Sequence, residues 1–482
     1  MAAQSQIIIV MVIYLTILIG WGLFQGKKVK SHKDYAIAGR NLPGWAAALS
    51  ERATGESSWA LLGLPGFAYA SGLTSLWTAV GCVAGIITAW WFIAFRLRDE
   101  AEKYDINTFT DFIAHRHGSV EKPIRIVSSL VIVFFFFFYV GAQFLGGGKT
   151  LYAMFGLDPV LGMVLTAFII IPYTVYGGFR SVVYTDVIQS VVMIITLIIG
   201  PIFGIIYLKN NPGIFAGSIS EALQLSGSSY SSIIGSVSGF TAGIAMLGGF
   251  SWFFGYLGGQ PQLSMRFMAI RNAAQAKRAR NISIIWTLFA YTGALSIGWI
   301  GLAIFGPHGL LDAETVMPRV MLAVFPPVIA AILITGAIAA MISTADSLLI
   351  LSATELSENL LKYQSISRLK KSRIMTALLA IIALILAYLI PSQLIYTLVG
   401  YVWAGIGGTF SVVILLTLFW KRFHGRAVVV TIITGMIFTI VWISSGLEAM
   451  ITARVMTFVF AFITAVISTF IIRPPCVNTT KI

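Results

Sequence analysis

The sequence predicts an all-α polytopic membrane protein with about thirteen transmembrane helices. Three observations carry that prediction. Hydrophobic residues make up 58% of the 482-residue chain against 10% charged residues, and the mean hydropathy is +0.89. A water-soluble domain of this length has no use for so much apolar surface. Apolar stretches long enough to cross a bilayer recur along the whole chain, and the basic residues behind the net charge of +14 gather in every second connection.

Taken in order, the spans fall at about 5–26, 43–71, 73–97, 123–155, 158–178, 180–208, 233–257, 281–306, 327–361, 374–391, 394–420, 427–446 and 451–472. The first, QIIIVMVIYLTILIGWGLFQG followed by KKVK, lacks the basic start and small-residue cleavage site of a signal peptide, so it reads as a retained helix. Alternate connections collect all but five of the 32 Lys and Arg residues, among them Lys27, Lys28, Lys30, Arg96, Arg98, Arg266 and Arg271. The exceptions are Arg52, Lys149, Lys209, Arg319 and Arg454. The positive-inside rule makes the crowded side cytoplasmic, with the N-terminus outside and the C-terminus inside. The basic balance is therefore a matter of topology. The partners it implies are the lipid bilayer and a small-molecule substrate, with no nucleic acid and no obligatory protein partner.

Within the second span, ALSERATGESSW (48–59) places Glu51, Arg52 and Glu56 in an apolar setting. A charge at mid-bilayer costs about 2.5–3.5 kcal/mol on insertion scales, so these residues must pair or face something other than lipid. Arg52 and Glu56 stand at i, i+4 and pair if the helix persists that far. Ala53-Thr54-Gly55-Glu56 predicts a break in the helix, and unwound backbone at membrane depth must line a cavity. The seventh span, GFTAGIAMLGGFSWFFGYLGGQP, repeats the pattern, with an expected break at 247–252. Two glycine-interrupted spans, five apart in order, point to a transporter built from inverted repeats, with its site at the midplane. Spans two to six form one set of five, and spans seven to eleven enter from the opposite side as the other. The resulting division is an extra N-terminal helix and loop over 1–42, a first five-helix repeat over 43–208 and an external loop over 209–232. A second, inverted five-helix repeat covers 233–420, and two further helices with a short tail cover 421–482.

The ninth span carries Ser343, Thr344, Asp346 and Ser347 in GAIAAMISTADSLL. Positions 343, 346 and 347 share a helix face. Closely spaced hydroxyl and carboxylate oxygens suit a small hard cation such as Na⁺. A second carboxylate, Asp186, enters near the cytoplasmic end of the sixth span; two acids facing one cavity equally suit a shared proton, so the coupling ion stays open between Na⁺ and H⁺ at this point.

Other features contribute little. Cys82 and Cys476 are too few and too far apart in type of setting to suggest a structural disulfide. All five histidines fall in connections, and His115 with His117 reads as a solvated loop rather than a metal pair. Asn478-Thr479-Thr480 matches a glycosylation acceptor but belongs to the cytoplasmic side. The run FFFFF at 134–138 reads as a lipid-facing or packed helix surface, and Gly146-Gly147-Gly148 as a close-packing element.

Several stretches resemble the sodium/solute symporter family, closest to its bacterial sodium/proline symporter branch. They are DYAIAGRNLPGWAAALS (34–50), SSWALLGLPG (57–66), the aromatic stretch around Tyr139, YGGFRSVVYTDVIQ (176–189), GYLGGQPQLSMRFMA (255–269), AAMISTADSLL (339–349) and GYVWAGIGGTF (400–410). The resemblance implies a leucine-transporter-like five-plus-five inverted repeat with flanking helices, in a bacterial inner membrane, working by Na⁺-coupled alternating access. It implies a main Na⁺ site from the carbonyls of Ala53, Glu56 and Ala340 and the hydroxyls of Ser343 and Thr344. A second cation or proton site would fall on Asp186, Ser343, Asp346 and Ser347. The substrate would lie among Glu56, Trp59, Gly63, Tyr139, Trp252 and Tyr256, with Gln260 and Pro261 on the cytoplasmic side. The resemblance implies Na⁺ as the coupling ion, and no organic cofactor is expected. Proline symporters carry an aspartate where this chain has Gly55, so here the carboxylate stands one residue later, at Glu56.

The expected function is a symporter for a small solute, an amino acid such as proline being the leading candidate. Coupling to protons, or another solute such as a betaine, a choline-like cation or a sugar, are the alternatives. A channel would need a filter-like loop that the sequence lacks, and an intramembrane enzyme would need a nucleophile with histidine or metal ligands inside the spans.

Overall fold

The computed structural model describes residues 2–29, 32–360, 368–389 and 394–474. Cys476 and Asn478-Thr479-Thr480 lie outside the described residues. Among those described, the chain is helical throughout, with no strand and a single isolated bridge between Leu42 and Ile270. Ten helices are long and apolar enough to cross a membrane, or eleven when the bent pair Gly239–Tyr256 and Pro261–Met268 is taken as one span. This number is smaller than thirteen because two expected spans, 43–71 and 73–97, lie in one helical run, Gly44–Lys103, and a third is only the short apolar helix Pro159–Pro172.

In chain order the main helices are α1 (Ala2–Gly26), α2 (Gly44–Ser58), α3 (Leu64–Ser71), α4 (Leu76–Thr88), α5 (Ala94–Lys103) and α6 (Phe109–Arg116). Then come α7 (Glu121–Phe155), α8 (Pro159–Asn210), α9 (Gly239–Phe250), α10 (Trp252–Tyr256), α11 (Pro261–Met268) and α12 (Ala273–Phe305). The last are α13 (Val316–Val324), α14 (Pro327–Glu355), α15 (Arg368–Leu389), α16 (Ile395–Val402), α17 (Thr409–Phe419), α18 (Gly425–Ser444) and α19 (Ala453–Ile471).

Local chemistry sets many of these boundaries. Gly156 ends α7 in the left-handed conformation, at φ 68°. Two residues later Asp158 starts α8, its Oδ1 accepting from the N–H groups of Val160 and Leu161 at 3.0 and 3.1 Å. Thr108 caps α6 and Asn272 caps α12 in the same way. Pro327 opens α14, where its missing N–H costs nothing. Within α8 the backbone breaks at Gly178, with φ 62° and ψ −175°. A side chain there would meet the Tyr35 ring as well as an unfavourable backbone, so glycine is required on both counts.

The centre of the bundle is α14, whose residues from Leu333 to Glu355 are all buried, against α2, α7 and α8. The helix is mainly apolar, with Thr335 near its start and Ser352, Thr354 and Glu355 near its end, and the cluster Ser343, Thr344, Asp346 and Ser347 between them lies at the core of the molecule. Exposed Ile, Leu, Val and Phe side chains cover the outer faces of α1, α8, α15, α18 and α19, as a lipid-facing surface requires. In the phenylalanine run, Phe135 and Phe136 turn into the core while Phe134 and Phe138 pack at its edge. His117 is not a solvated loop residue: its Nε2 lies 3.0 Å from Thr417 Oγ1 and its ring is edge-on to Phe423. Among the described residues no group of His, Cys, Asp and Glu is arranged to hold a metal.

Candidate functional site

The break in the second span falls at Ser57, one residue beyond the stretch 53–56 expected from sequence. Ser57 has φ 51° and ψ −167°, a conformation that non-glycine residues adopt only when their surroundings hold them there. Three contacts provide that hold. Gln143 on α7 accepts from the Ser58 N–H at 3.0 Å, Ser57 Oγ accepts from the Trp59 N–H at 3.2 Å, and the Trp59 indole donates to Gly55 O at 3.3 Å. A π-helical turn, Trp59–Gly63, follows.

Opposite the break stand the hydroxyls of α14. Ser343 Oγ lies 3.0 Å from both Ala53 O and Ala340 O, and Thr344 Oγ1 lies 3.0 Å from Thr54 O. Four of the five residues expected at a main Na⁺ site thus converge, with Thr54 supplying a carbonyl. The fifth, Glu56, has its carbonyl turned to the Trp59 N–H. Every atom in this cluster is a neutral oxygen, which is the donor set a hard monovalent cation prefers.

One turn away, Asp186 and Ser347 come together through Arg266. The guanidinium donates to Asp186 Oδ2 at 3.1 Å, to Ser50 Oγ at 3.0 Å, to Ser347 Oγ at 2.6 Å and to Gln262 O at 2.8 Å. Ser50 donates to the same Asp186 oxygen at 2.6 Å, and Thr54 lies 3.0 Å from Ser347 Oγ. Asp346 Oδ1 is 3.5 Å from Ser347 Oγ, at the far edge of the group. Arg266, Asp186 and Asp346 are fully buried. Sequence reasoning had placed Arg266 in a basic cytoplasmic connection, but the short helix α11 carries it into the core. Pro261 at the start of α11 and the preceding Gly258, at φ 81°, bend the seventh span by 41° to bring it there. That bend lies beyond the expected break at 247–252, where only a minor joint at Ser251 separates α9 from α10.

Glu51, Arg52 and Glu56 form one buried cluster. Arg52 Nε donates to Glu51 at 2.6 Å with a second contact between the same side chains, and Nη1 donates to Glu56 Oε1 at 2.8 Å. Thr287 and Ser283 on α12 complete it. Two carboxylates face one guanidinium, and among the described residues Glu56 Oε2 has no partner within hydrogen-bond geometry, with Tyr291 beside it.

Above Glu56 lies an aromatic stack. The Trp59 and Trp252 rings are 4.2 Å apart and 11° from parallel, and Trp403 packs on both Trp252 and Tyr256. Tyr256 and Tyr291 share a hydrogen bond of 2.9 Å. Tyr396 closes the edge, its hydroxyl 3.3 Å from the Trp252 indole nitrogen and 3.1 Å from Thr78 Oγ1. A Cβ on Gly63 would stand 3.3 Å from the Tyr396 backbone nitrogen, a tight approach. The Tyr139 hydroxyl is buried beside Ser57 and Trp403. Gln260 lies on the opposite side, where a cavity of about 10 Å³, room for one water, is lined by Glu51, Tyr256, Gln260 and Ser264. Pro261 follows as the first residue of α11. Beyond Tyr396, Glu314 accepts from the N–H groups of Ile395 and Tyr396 at 2.9 and 2.8 Å and from Lys149 at 2.6 Å, fastening the start of α16.

The sequence did not single out Gln143, Thr287, Tyr291, Glu314 or Tyr396. Gln143 carried a signal, as an amide in an otherwise apolar span; the aromatic residues carried none, because tyrosine is common in membrane helices.

Comparison with known proteins places the chain. The model of the Sodium:solute symporter family matches residues 35–437. The high-affinity proline transporter PutP of Bacillus subtilis is 32% identical over 438 residues, covering 89% of this chain and 90% of the relative. The osmoregulated proline transporter OpuE of the same organism is 32% identical over 455 residues, covering 92% and 89%. A sodium/proline symporter of Staphylococcus aureus is 31% identical over 455 residues, covering 92% and 86%. Among solved structures, a Na⁺-coupled sialic acid symporter in a substrate-bound outward-open state superposes with a TM-score of 0.79 at 20% identity, over 98% of this chain and 99% of that one. The fold is therefore the leucine-transporter-like one, and the relatives are transporters rather than enzymes. On this sequence and this fold, the chain belongs to the sodium:solute symporter family.

Proposed function

We propose that this protein is a Na⁺-driven symporter that imports a small zwitterionic amino acid, proline being the leading candidate, by alternating access. The observation that carries the proposal is the meeting of Ser343 and Thr344 with the Ala53, Thr54 and Ala340 carbonyls beside the break at Ser57. Na⁺ entering there replaces the two hydroxyl hydrogen bonds with direct oxygen contacts and ties α2 to α14. A rotation at Ser57 turns the Glu56 carbonyl into the same shell.

The neighbouring group of Asp186, Ser343, Asp346 and Ser347 is read as a second cation or proton site, in which Arg266 supplies the positive charge in the closed arrangement. Substrate binds between the aromatic stack and Glu56. The ammonium of an amino acid neutralises the surplus charge of the Glu51–Arg52–Glu56 cluster, and Trp59, Trp252, Tyr256 and Tyr139 enclose its apolar part. With Trp59 and Trp252 in ring-to-ring contact, the pocket is shut. Substrate must part them, so opening on one side and closing on the other are coupled to occupancy.

The proposed division is that of the sequence: repeats over 43–208 and 233–420, an extra helix before them and two after, and an external loop over 209–232. The N-terminus is outside and the C-terminus cytoplasmic, which puts Lys149, Glu314 and Arg454 at the outer end. Relatives that transport proline, at about a third identity, support the choice of substrate.

The test is uptake of labelled L-proline into proteoliposomes under an inward Na⁺ gradient, against equal K⁺ and against a pH gradient alone, with unlabelled amino acids, betaines and sugars as competitors. Na⁺-dependent proline uptake is expected. Transport of another competitor instead moves the substrate and keeps the coupling, and uptake driven by pH and indifferent to Na⁺ overturns the ion assignment.

A further inference from the structure

One buried cation near the pocket is held by neutral acceptors. Arg454, the second residue of α19, is 9% exposed and forms no ion pair among the described residues. Its Nε donates to Ser251 Oγ at 2.8 Å and its Nη2 reaches Gly248 O at 3.4 Å. Both acceptors belong to the joint between α9 and α10. The guanidinium also lies 4.8 Å over the Trp252 ring. Because Trp59 covers one face of that ring at 4.2 Å, the arginine occupies the other, and Trp252 is held in a sandwich. Gly400 on α16 makes the space: a Cβ there would stand 2.5 Å from Arg454 Nη1.

A buried guanidinium without a directly paired carboxylate is costly, and its hydrogen bonds and ring contact recover only part of that cost. An apolar residue would pack α19 against the bundle at least as well. What the arginine supplies that an apolar residue does not is a directed hold on Ser251, Gly248 and the Trp252 ring together.

We propose that Arg454 is a positioning residue of the outer gate, by which the peripheral helix α19 holds Trp252 on Trp59 and keeps the Ser251 joint closed. Opening toward the outside then requires Trp252 to leave Trp59 and Arg454 to release the joint. Loss of the arginine shifts the resting population toward the outward-open form, which binds external substrate more tightly and recloses more slowly. The transport part rests on the function proposed above, so a second readout independent of any substrate is needed.

Cys82 provides it. The thiol is fully buried, lies against Tyr256 and Tyr291, and is within electrostatic reach of Glu56 and Arg454. In a Cys476→Ser background it is the only thiol of the chain, and a membrane-impermeant maleimide applied from outside reports access to the pocket. Arg454→Gln is expected to raise the rate of Cys82 labelling about fivefold and to lower kcat and KM together. Arg454→Lys, which keeps the charge but not the planar fork, restores part of both. Gly400→Ala, which displaces the guanidinium without removing it, reproduces the Gln variant and decides the matter if that variant does not fold. Unchanged labelling in Gly400→Ala, or a fall in kcat with KM and labelling unaltered in Arg454→Gln, overturns the proposal. Altered labelling with no proline transport at all leaves the gate assignment standing and refutes the substrate.

Discussion

Glu56 is the residue on which charge, break and pocket meet. With Glu51 it outnumbers Arg52, and among the described residues one of its oxygens has no partner within hydrogen-bond geometry. A buried cluster with a surplus negative charge is incomplete until a cation arrives. Glu56→Gln removes the surplus while keeping the side chain's shape. Uptake should fall tenfold or more, to the order expected for losing a charge-assisted contact of about 1.5–3 kcal/mol, with folded yield unchanged. Uptake kinetics in proteoliposomes with size-exclusion profiles of the variant check this. Arg52→Ala should behave differently, because it leaves two buried carboxylates uncompensated at a cost of about 3–5 kcal/mol, and little folded protein should be recovered. In the connection before α7, burial pushes His117 down from 6.5 to about 4, with Arg116 and His424 adding to the effect. The folded state therefore resists a proton that the unfolded chain accepts, and stability contributed by neutral His117 is lost as pH falls from 6.5 toward 4. His117→Gln should lose less melting temperature than the parent over that interval, as a thermal-shift series in detergent would show.

At the scale of elements, function depends on where helices are interrupted. Ser57, Gly178 and the Leu257–Gln260 turn each interrupt a helix, and at the first two a neighbouring segment constrains the break. Gln143 serves the first, and at the second a Cβ on Gly178 would stand 2.4 Å from the Tyr35 ring. Gly178→Ala meets both that ring and an unfavourable φ, a strain of the order of 1–3 kcal/mol, so its melting temperature should drop clearly below that of the parent. Gly20, where a Cβ meets nothing within 4 Å, is the control, and Gly20→Ala should be close to neutral. Equal melting temperatures for the two variants would show that the break at Gly178 is not held as described. These breaks were only partly legible. The glycines announced that two spans would be interrupted, but the sequence put one break at 53–56 and the other at 247–252. A polar residue at positive φ cannot be read from composition, because what forces Ser57 there is Gln143, eighty-odd positions along the chain.

At the scale of the whole molecule, Na⁺ at the proposed site between α2 and α14 would join two parts of the bundle that are 290 residues apart in sequence. Binding to the folded state alone stabilises it by about 2.7 kcal/mol at a hundred times Kd. The melting temperature should therefore rise with Na⁺ at constant ionic strength and stay level with K⁺. Ser343→Ala should abolish the rise; a rise that survives it would place the ion elsewhere. The sequence by itself determined the membrane setting, the position of nearly every span, the expected sidedness and the polar stretches at 51–56 and 343–347. All of these follow from composition and one-dimensional spacing against a bilayer of fixed thickness. Tertiary structure alone decided what those polar residues touch. It brought Arg266 from a supposed surface connection onto Asp186 and Ser347, set Trp252 against Trp59, and turned Arg454 inward at the start of α19. The physical reason is that a buried charge or ring must find its partner across helices, and which helices lie side by side is fixed by packing over the whole chain.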